Sequence, residues 1–233
     1  MIKRQIPAPE LLRAPSGGIF RLSDAELLRL RDDVAAEIAR RSPADHASDL
    51  SDIKGQEACK RALLVAIAGR HSILLAGPAG CGKSMLRSVA RQFGVPDTFE
   101  ARCCPCGHWN DPRYDCRCTA AQIRRHLARF PDTEITVEVP PVPAREWQSK
   151  AKGTSNADIR RQLEEMGAIP PLTLDEAGSE LLRTAASEHG LSAAELDRAM
   201  RIAATIAALD RSDRIGVSHV CEAINYRPRW RCG

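Results

Sequence analysis

The chain has 233 residues, of which 27% are charged and 4% aromatic, and its formal net charge is +4. That length allows one or two domains with a sizeable core, and the weak positive balance permits an acidic or nucleic-acid partner without demanding one. No apolar run is long enough to span a bilayer, and Met1-Ile2-Lys3-Arg4-Gln5-Ile6-Pro7 carries charge with no apolar segment behind it, so the expectation is no secretory signal, no membrane partner and a cytoplasmic location.

Residues 1–48 read as an N-terminal extension. Residues 1–21 hold three prolines and Gly17-Gly18, the composition of a loose lead-in. A helix is predicted next. Ser23 and Glu26 form a capping box, Leu22 and Leu27 a hydrophobic staple, and Leu27, Leu30, Val34 and Ile38 fall on one face. The pattern has too few heptads for a coiled coil and fits a helix packed on a core.

Residues 49–148 read as a nucleotide-binding core. Ser51 to Glu57 leads into a helix through Ala68 that buries Leu63, Leu64 and Ile67. Ser72-Ile73-Leu74-Leu75-Ala76 is an apolar run suited to a buried strand. Directly after it, Gly77-Pro78-Ala79-Gly80-Cys81-Gly82-Lys83-Ser84 fits the phosphate-loop pattern G-x-x-x-x-G-K-[ST], and a helix follows from Met85. Glycines let backbone N–H groups curl round an anion, and the new helix adds its positive end. Lys83 is placed to reach the outer phosphates of ATP and the Ser84 hydroxyl to ligate Mg²⁺. A helix ahead of this strand suits a ring-type ATPase, with the loop at Ile53 lining the adenine pocket. Cys81 lies within the loop. Amides and Lys83 beside the thiol raise redox control as one reading, but a small residue that simply fits explains it as well.

Arg91 to Arg102 reads as a short passage turning at Pro96-Asp97. The chain has nine cysteines, and four are tightly grouped: Cys104 and Cys106, then Cys116 and Cys118. An odd set clustered this way points to reduced thiols and a metal rather than disulfides. In an extended backbone residues i and i+2 face the same side, so each Cys-x-Cys aims two sulfurs at one point. Gly107, Asn110, Asp111 and Pro112 supply the reversal between them. Four thiolates make a closed, structural Zn²⁺ site. Cys103 and His108 stay open as substitute ligands, and free buried thiols are the other reading. Around this 103–118 knuckle stand Arg113, Arg117, Arg124, Arg125 and Arg129, three of them on a helix capped by Thr119 and Gln122. They suit phosphate contact with DNA, and equally a solvated helix face.

Ile135-Thr136-Val137-Glu138-Val139 alternates like a strand closed by Pro140, Pro141 and Pro143. Ser149 to Asn156 is a polar linker, and residues 149–233 read as a helical lid. Helices are predicted over 156–166, over 175–189 stopped by Gly190, over 192–209 capped by Ser192 and Glu195, and over 218–226 capped by Ser218. The basic tail from Arg227 reads as frayed.

The phosphate loop, the Ile53-Lys54-Gly55-Gln56 segment, Cys104-Pro105-Cys106-Gly107, Cys116-Arg117-Cys118-Thr119, Gln122-Ile123-Arg124-Arg125, Gly190-Leu191-Ser192-Ala193 and Glu222-Ala223-Ile224-Asn225-Tyr226-Arg227 form a set. With it the chain resembles the magnesium-chelatase subunit I-like AAA+ ATPases, in their ComM/YifB branch, over roughly residues 49–228 with pieces missing. The resemblance implies an abbreviated P-loop parallel-sheet core with a zinc-knuckle insertion and a helical lid, ATP and Mg²⁺ as ligands, a homo- or hetero-oligomer with an AAA+ paralogue, and work on DNA. It also implies losses. No apolar strand ending in Asp-Glu stands between Lys83 and Arg102. Arg102 replaces the family's γ-phosphate-sensing Asn, the arginine-finger segment is absent between Phe130 and Ile135, and Ala194 replaces the lid's sensing arginine. An arginine finger alone is worth about a thousandfold in rate. The chain is therefore expected to bind ATP and to be impaired in hydrolysis. Two alternatives stand beside this: an active ATPase completed by Glu134, Glu138 or a neighbouring subunit, and a zinc-pinned DNA-binding module with a relic nucleotide site.

Overall fold

A computed structural model describes residues 48–95, 97–148 and 153–227. The helix expected over 22–38, the first half of the 149–156 linker and the basic tail past Arg227 lie outside the described residues. The described part belongs to one compact unit. It is α/β: a three-stranded parallel sheet with, among the described residues, eight α-helices.

The chain enters through a single 3-10 turn at Leu50–Asp52, closed by a capping box between Asp49 and Asp52. Helix α1, Glu57–Gly69, buries eight of its 13 residues. Such an all-round apolar helix needs cover on more than one side, and α1 packs between the sheet and the C-terminal helices. Arg70, at φ 54°, ends it in the left-handed region.

Strand β1, Ile73–Ala76, is buried throughout and sits in the middle of the order β2-β1-β3. Strand β2, Thr98–Ala101, and strand β3, Ile135–Glu138, both run parallel to it. Helix α2, Lys83–Gln92, makes the crossover from β1 to β2. The cysteine segment and helix α3, Ala120–Leu127, make the crossover to β3. Side chains alternate along β1, so Ile73 and Leu75 enter the main core with Leu63 and Leu86. Leu74 and Ala76 enter a second core with Ala101, Cys103, Cys104, Ile123 and Leu127.

Strand β2 corrects the sequence reading, which left this stretch as a short passage with a turn. Its four residues are stabilised as a strand by pairing with β1, a contact that local pattern does not carry. After β3 comes a one-turn helix α4, Ala144–Trp147, behind the prolines.

Helix α5, Asn156–Glu165, is capped by Ser155 and Asp158. Asp175 caps helix α6, Glu176–His189, which ends at Gly190 with φ 60°. Ser192 and Glu195 box helix α7, Ala193–Leu209, as their spacing predicts. Helix α8, Val217–Asn225, starts one residue earlier than expected. Its cap is Gly216, whose N–H donates to His219 Nδ1 at 3.0 Å, and not Ser218. Ile202, Ile206, Ile215 and Val220 of this C-terminal part join the main core directly. Arg61 of α1 clasps it further, donating from Nε and Nη2 to Glu222 at 2.9 and 3.2 Å and from Nη2 to Asp210 at 3.2 Å.

Candidate functional site

The glycine-rich segment 77–84 leaves the carboxyl end of the central strand and runs into the N-terminus of α2. Open parallel sheets bind ligands at that end, where crossovers part to either side of one strand. Gly80 and Gly82 have φ of +76° and +93°, with nothing within 4 Å of where a Cβ would stand. The loop is therefore uncrowded at these two glycines, and α2 begins there with amides that have no partner within the helix.

Four ties hold the loop. Gly77 N–H donates to Ala101 O of β2 at 3.1 Å. Gln56 Nε2 donates to Cys81 O at 2.7 Å and to Pro140 O at 2.9 Å. Arg113 Nη2 approaches Ala79 O at 3.5 Å. Gly77 itself is pressed on the chain after β3, where a Cβ would lie 2.2 Å from Val139 O. Gly77, Pro78 and Cys81 are buried, whereas Ala79, Gly80 and Ser84 are exposed. Lys83 folds its ammonium back over the loop and donates to Gly77 O at 3.0 Å and Pro78 O at 2.6 Å. Cys81 Sγ stands 3.5 Å from that ammonium, with its thiol 3% exposed in the main core.

Ser84 Oγ donates to Glu100 Oε2 at 3.2 Å, and Glu100 Oε1 pairs with Arg87 Nε at 3.0 Å. Sequence reasoning missed Glu100 because it missed β2. The available signal was Thr98-Phe99, a β-prone pair shortly after the Gly94 turn. Ile53 is 4% exposed and packs in the main core, the cluster that Cys81 also joins. Of the two other acids considered for catalysis, Glu134 precedes β3 at the far end of the parallel sheet. There it pairs with His71 Nδ1 at 3.2 Å and Arg201 at 3.1 Å. Burial raises its carboxyl, but His71 and Arg201 outweigh that and hold it below the usual range. Glu138 is at the correct end, opposite Ala76, and accepts from Asn110 Nδ2 at 2.6 Å.

Cys104, Cys106, Cys116 and Cys118 converge, with all four sulfurs within 4.8 Å of one another. Cys104 Sγ is 3.3 Å from Cys106 Sγ and 3.8 Å from Cys116 Sγ, and Cys106 to Cys116 is 3.7 Å. Sulfurs at the corners of a tetrahedral zinc, each bonded at about 2.3 Å, stand about 3.8 Å apart. The donor set and its spacing thus fit Zn²⁺. Trp109 N–H donates to Cys104 Sγ at 3.3 Å, the kind of outer contact that orients a thiolate. The His108 amide and the Cys104 thiol pull the Cys106 thiol down to about 6. The first pair sits on a turn, with Gly107 N–H donating to Cys104 O at 3.0 Å, and not on extended backbone. A turn with Gly107 at φ +83° folds the two sulfurs together just as well.

Cys103 is outside the cluster, buried in the second core. His108 stacks instead on Tyr114, with ring centroids 4.7 Å apart. In the reversal, Asp111 takes Arg113 N–H at 3.0 Å and its guanidinium at 2.9 and 2.8 Å. The Arg113 guanidinium holds the Asp111 carboxyl down to about 2. Arg117, Arg124, Arg125 and Arg129 are all exposed, and α3 ends at Leu127, so Arg129 lies just past it.

Two family models match the chain. One, described as magnesium chelatase, subunit ChlI, covers residues 49–99, and the other, magnesium chelatase, subunit ChlI C-terminal, covers residues 135–227. The chain is a partial member of the magnesium-chelatase-like family. Within that family it is a ComM/YifB-type sequence. It is 43% identical over 67 residues to competence protein ComM of Haemophilus influenzae, a match of 29% of this chain and 13% of that protein. It is 48% identical over 56 residues to the uncharacterized protein YifB of Escherichia coli, covering 22% and 11%. The matches therefore span only about an eighth of the length of these relatives. Magnesium-chelatase-like proteins of this kind are AAA+-type ATPases, which implies ATP and Mg²⁺. Neither family model covers residues 100–134, which hold Glu100, the cysteine cluster and α3. No helix among the described residues is long and apolar enough to cross a membrane.

Proposed function

We propose that this chain is an ATP-binding AAA+ module, impaired in hydrolysis, that acts with an AAA+ partner in remodelling DNA. The observation that carries the reading is the loop: segment 77–84 springs from the carboxyl end of the central strand, is open at Gly80 and Gly82, and holds the Lys83 ammonium over its own carbonyls. In this reading the backbone N–H groups of Ala79 to Gly82 cradle the phosphates, while Gly77 and Pro78 shape the bend. Lys83 exchanges carbonyl partners for phosphate oxygens. Ser84 offers its hydroxyl to the metal, and Ile53 supports the base side from below. Mg²⁺, when bound with the nucleotide, supplies charge neutralisation between the outer phosphates. Ser84 and Glu100 offer hard oxygen donors, so the residues present suit that ion.

The impairment follows from the acids. Activating a water needs a carboxylate beside the outer phosphate in addition to the metal's ligand. Glu134 is at the wrong end of the sheet and Glu138 is held by Asn110. The cysteine cluster holds Zn²⁺ in a closed shell and fixes α3 on the second face of the sheet, presenting Arg117, Arg125 and Arg129 toward a nucleic-acid backbone. The test is nucleotide binding and turnover on metal-replete protein. The chain is expected to bind a fluorescent ATP analogue, to lose it on Lys83→Ala, and to turn over almost no ATP alone. Rapid turnover by the isolated chain refutes the impairment. Salt-sensitive DNA binding that ignores both ATP and Lys83→Ala selects the DNA-binding module with a relic loop.

A further inference from the structure

We infer that Glu100 serves as the acidic magnesium ligand of this site, taking with Ser84 the role for which the sequence supplies no Asp-Glu strand. The inference rests on the nucleotide-binding reading above and goes beyond it by naming a residue that neither family model covers. Three observations carry it. First, register: Glu100 pairs with Leu75 of β1, so its side chain emerges on the face of the sheet that α2 covers. The polarity of β2 brings it to the loop's end of the sheet.

Second, spacing. Two oxygens on adjacent corners of an octahedral Mg²⁺, each at about 2.1 Å, are about 3.0 Å apart. Ser84 Oγ and Glu100 Oε2 are 3.2 Å apart. The pair can accept the ion between them by losing one hydrogen bond and moving by a few tenths of an ångström.

Third, charge. Arg87 Nε pairs with the other oxygen, Glu100 Oε1, at 3.0 Å. That leaves Oε2 turned to Ser84 and the Arg87 guanidinium one helical turn behind it. Without a cation, a carboxylate beside the phosphate cradle repels the nucleotide; with one, it binds the nucleotide's counter-ion. A carboxylate at this point therefore makes nucleotide binding depend on Mg²⁺.

The competing account is a plain Arg87–Glu100 ion pair that happens to touch Ser84. The experiment measures the affinity of a fluorescent, non-hydrolysable ATP analogue in Mg²⁺ and in EDTA, for the parent chain, Glu100→Gln and Lys83→Ala. The parent is expected to bind more tightly in Mg²⁺. Glu100→Gln is expected to cut the ratio of the two affinities about tenfold or more, with binding in EDTA equal to the parent's or tighter. Mn²⁺ in place of Mg²⁺ gives a direct signal. The paramagnetic spectrum of protein-bound Mn²⁺·nucleotide is expected for the parent and lost for Glu100→Gln. An unchanged ratio in Glu100→Gln overturns the inference and leaves nucleotide binding standing. Absence of binding by the parent in both conditions overturns the nucleotide reading as well. If Glu100→Gln loses binding even in EDTA, Arg87→Gln decides. It releases Glu100 from its ion pair, so a raised Mg²⁺ ratio supports the inference and an unchanged or lowered one overturns it.

Discussion

Replacing Gly77 by Ala puts one methyl group where the fold has no room. Its carbon would stand 2.2 Å from Val139 O and 3.2 Å from Val139 C, about 1 Å inside ordinary contact with the oxygen. The backbone there cannot retreat freely. Val139 N–H donates to Ala76 O at 2.7 Å, and β3 is in register with β1 up to Glu138. The loop must move instead, by about the overlap. Overpacking of this kind costs about 1–3 kcal/mol. For a compact unit of this size, a loss of about 2 kcal/mol lowers Tm by about 4–8 °C. The shift also moves Pro78 O and Lys83, so affinity for the ATP analogue falls with stability. Gly80→Ala is the control. Nothing lies within 4 Å of its new carbon, but φ is +76°, so it bears only backbone strain of about 1–2 kcal/mol. Thermal melts and nucleotide titrations of both variants should rank Gly77→Ala as the more damaging. If Gly80→Ala proves the worse of the two, the tuck against Val139 is not what fixes the loop, and the account of its geometry fails.

Three more outcomes are expected. Purified protein carries one Zn²⁺ per chain by elemental analysis, Cys116→Ser retains little of it, and chelation exposes the second core to a hydrophobic dye, because four thiolates at 3.3–3.8 Å hold that segment together. Arg61→Ala leaves the half-buried Glu222 without its two guanidinium bonds, and urea melts should show a loss of about 1–3 kcal/mol. Burial, only partly offset by Glu134, depresses the His71 pKa below 6.5, with Arg201 acting in the same direction as burial. The unfolded chain therefore binds more protons at slightly acid pH, and stability present above 6.5 falls as pH drops from there toward the folded-state value. Urea midpoints should decline from pH 7.5 to 5.5, and less so in His71→Gln; equal slopes would remove His71 from the explanation. Glu134, whose pKa is lowered from 4.5, acts only below that window.

Much of the local architecture is legible in the sequence. The phosphate-loop pattern, the cysteine spacing and the caps at Thr119 and Ser192 are all local chemistry, and local chemistry is written in neighbouring residues. Strand β2 was only faintly written: Thr98-Phe99 is β-prone, but Thr98-Phe99-Glu100-Ala101 is short, half polar and made a strand by β1, about 25 residues away. With β2 went Glu100, whose meeting with Ser84 depends on strand register rather than spacing. The start of α8 misled for a different reason. Ser218 has the right chemistry for a cap, but the imidazole of His219 takes the Gly216 N–H first. Helix α4 behind three prolines gave no periodic signal at all, having only one turn.

All three strands point the same way, and this limits how a chain of this design can lose material. Cutting out complete strand-and-crossover pairs keeps each surviving strand's direction, so the remainder can close up and pair again. A cut that ended halfway through such a pair would turn β2 around. Glu100 and Arg102 would then sit at the opposite rim from Lys83, and the cysteine knuckle would leave the sheet from the wrong side. Shortening this fold by whole modules narrows the sheet and keeps the 77–84 loop and Glu100 along the same rim.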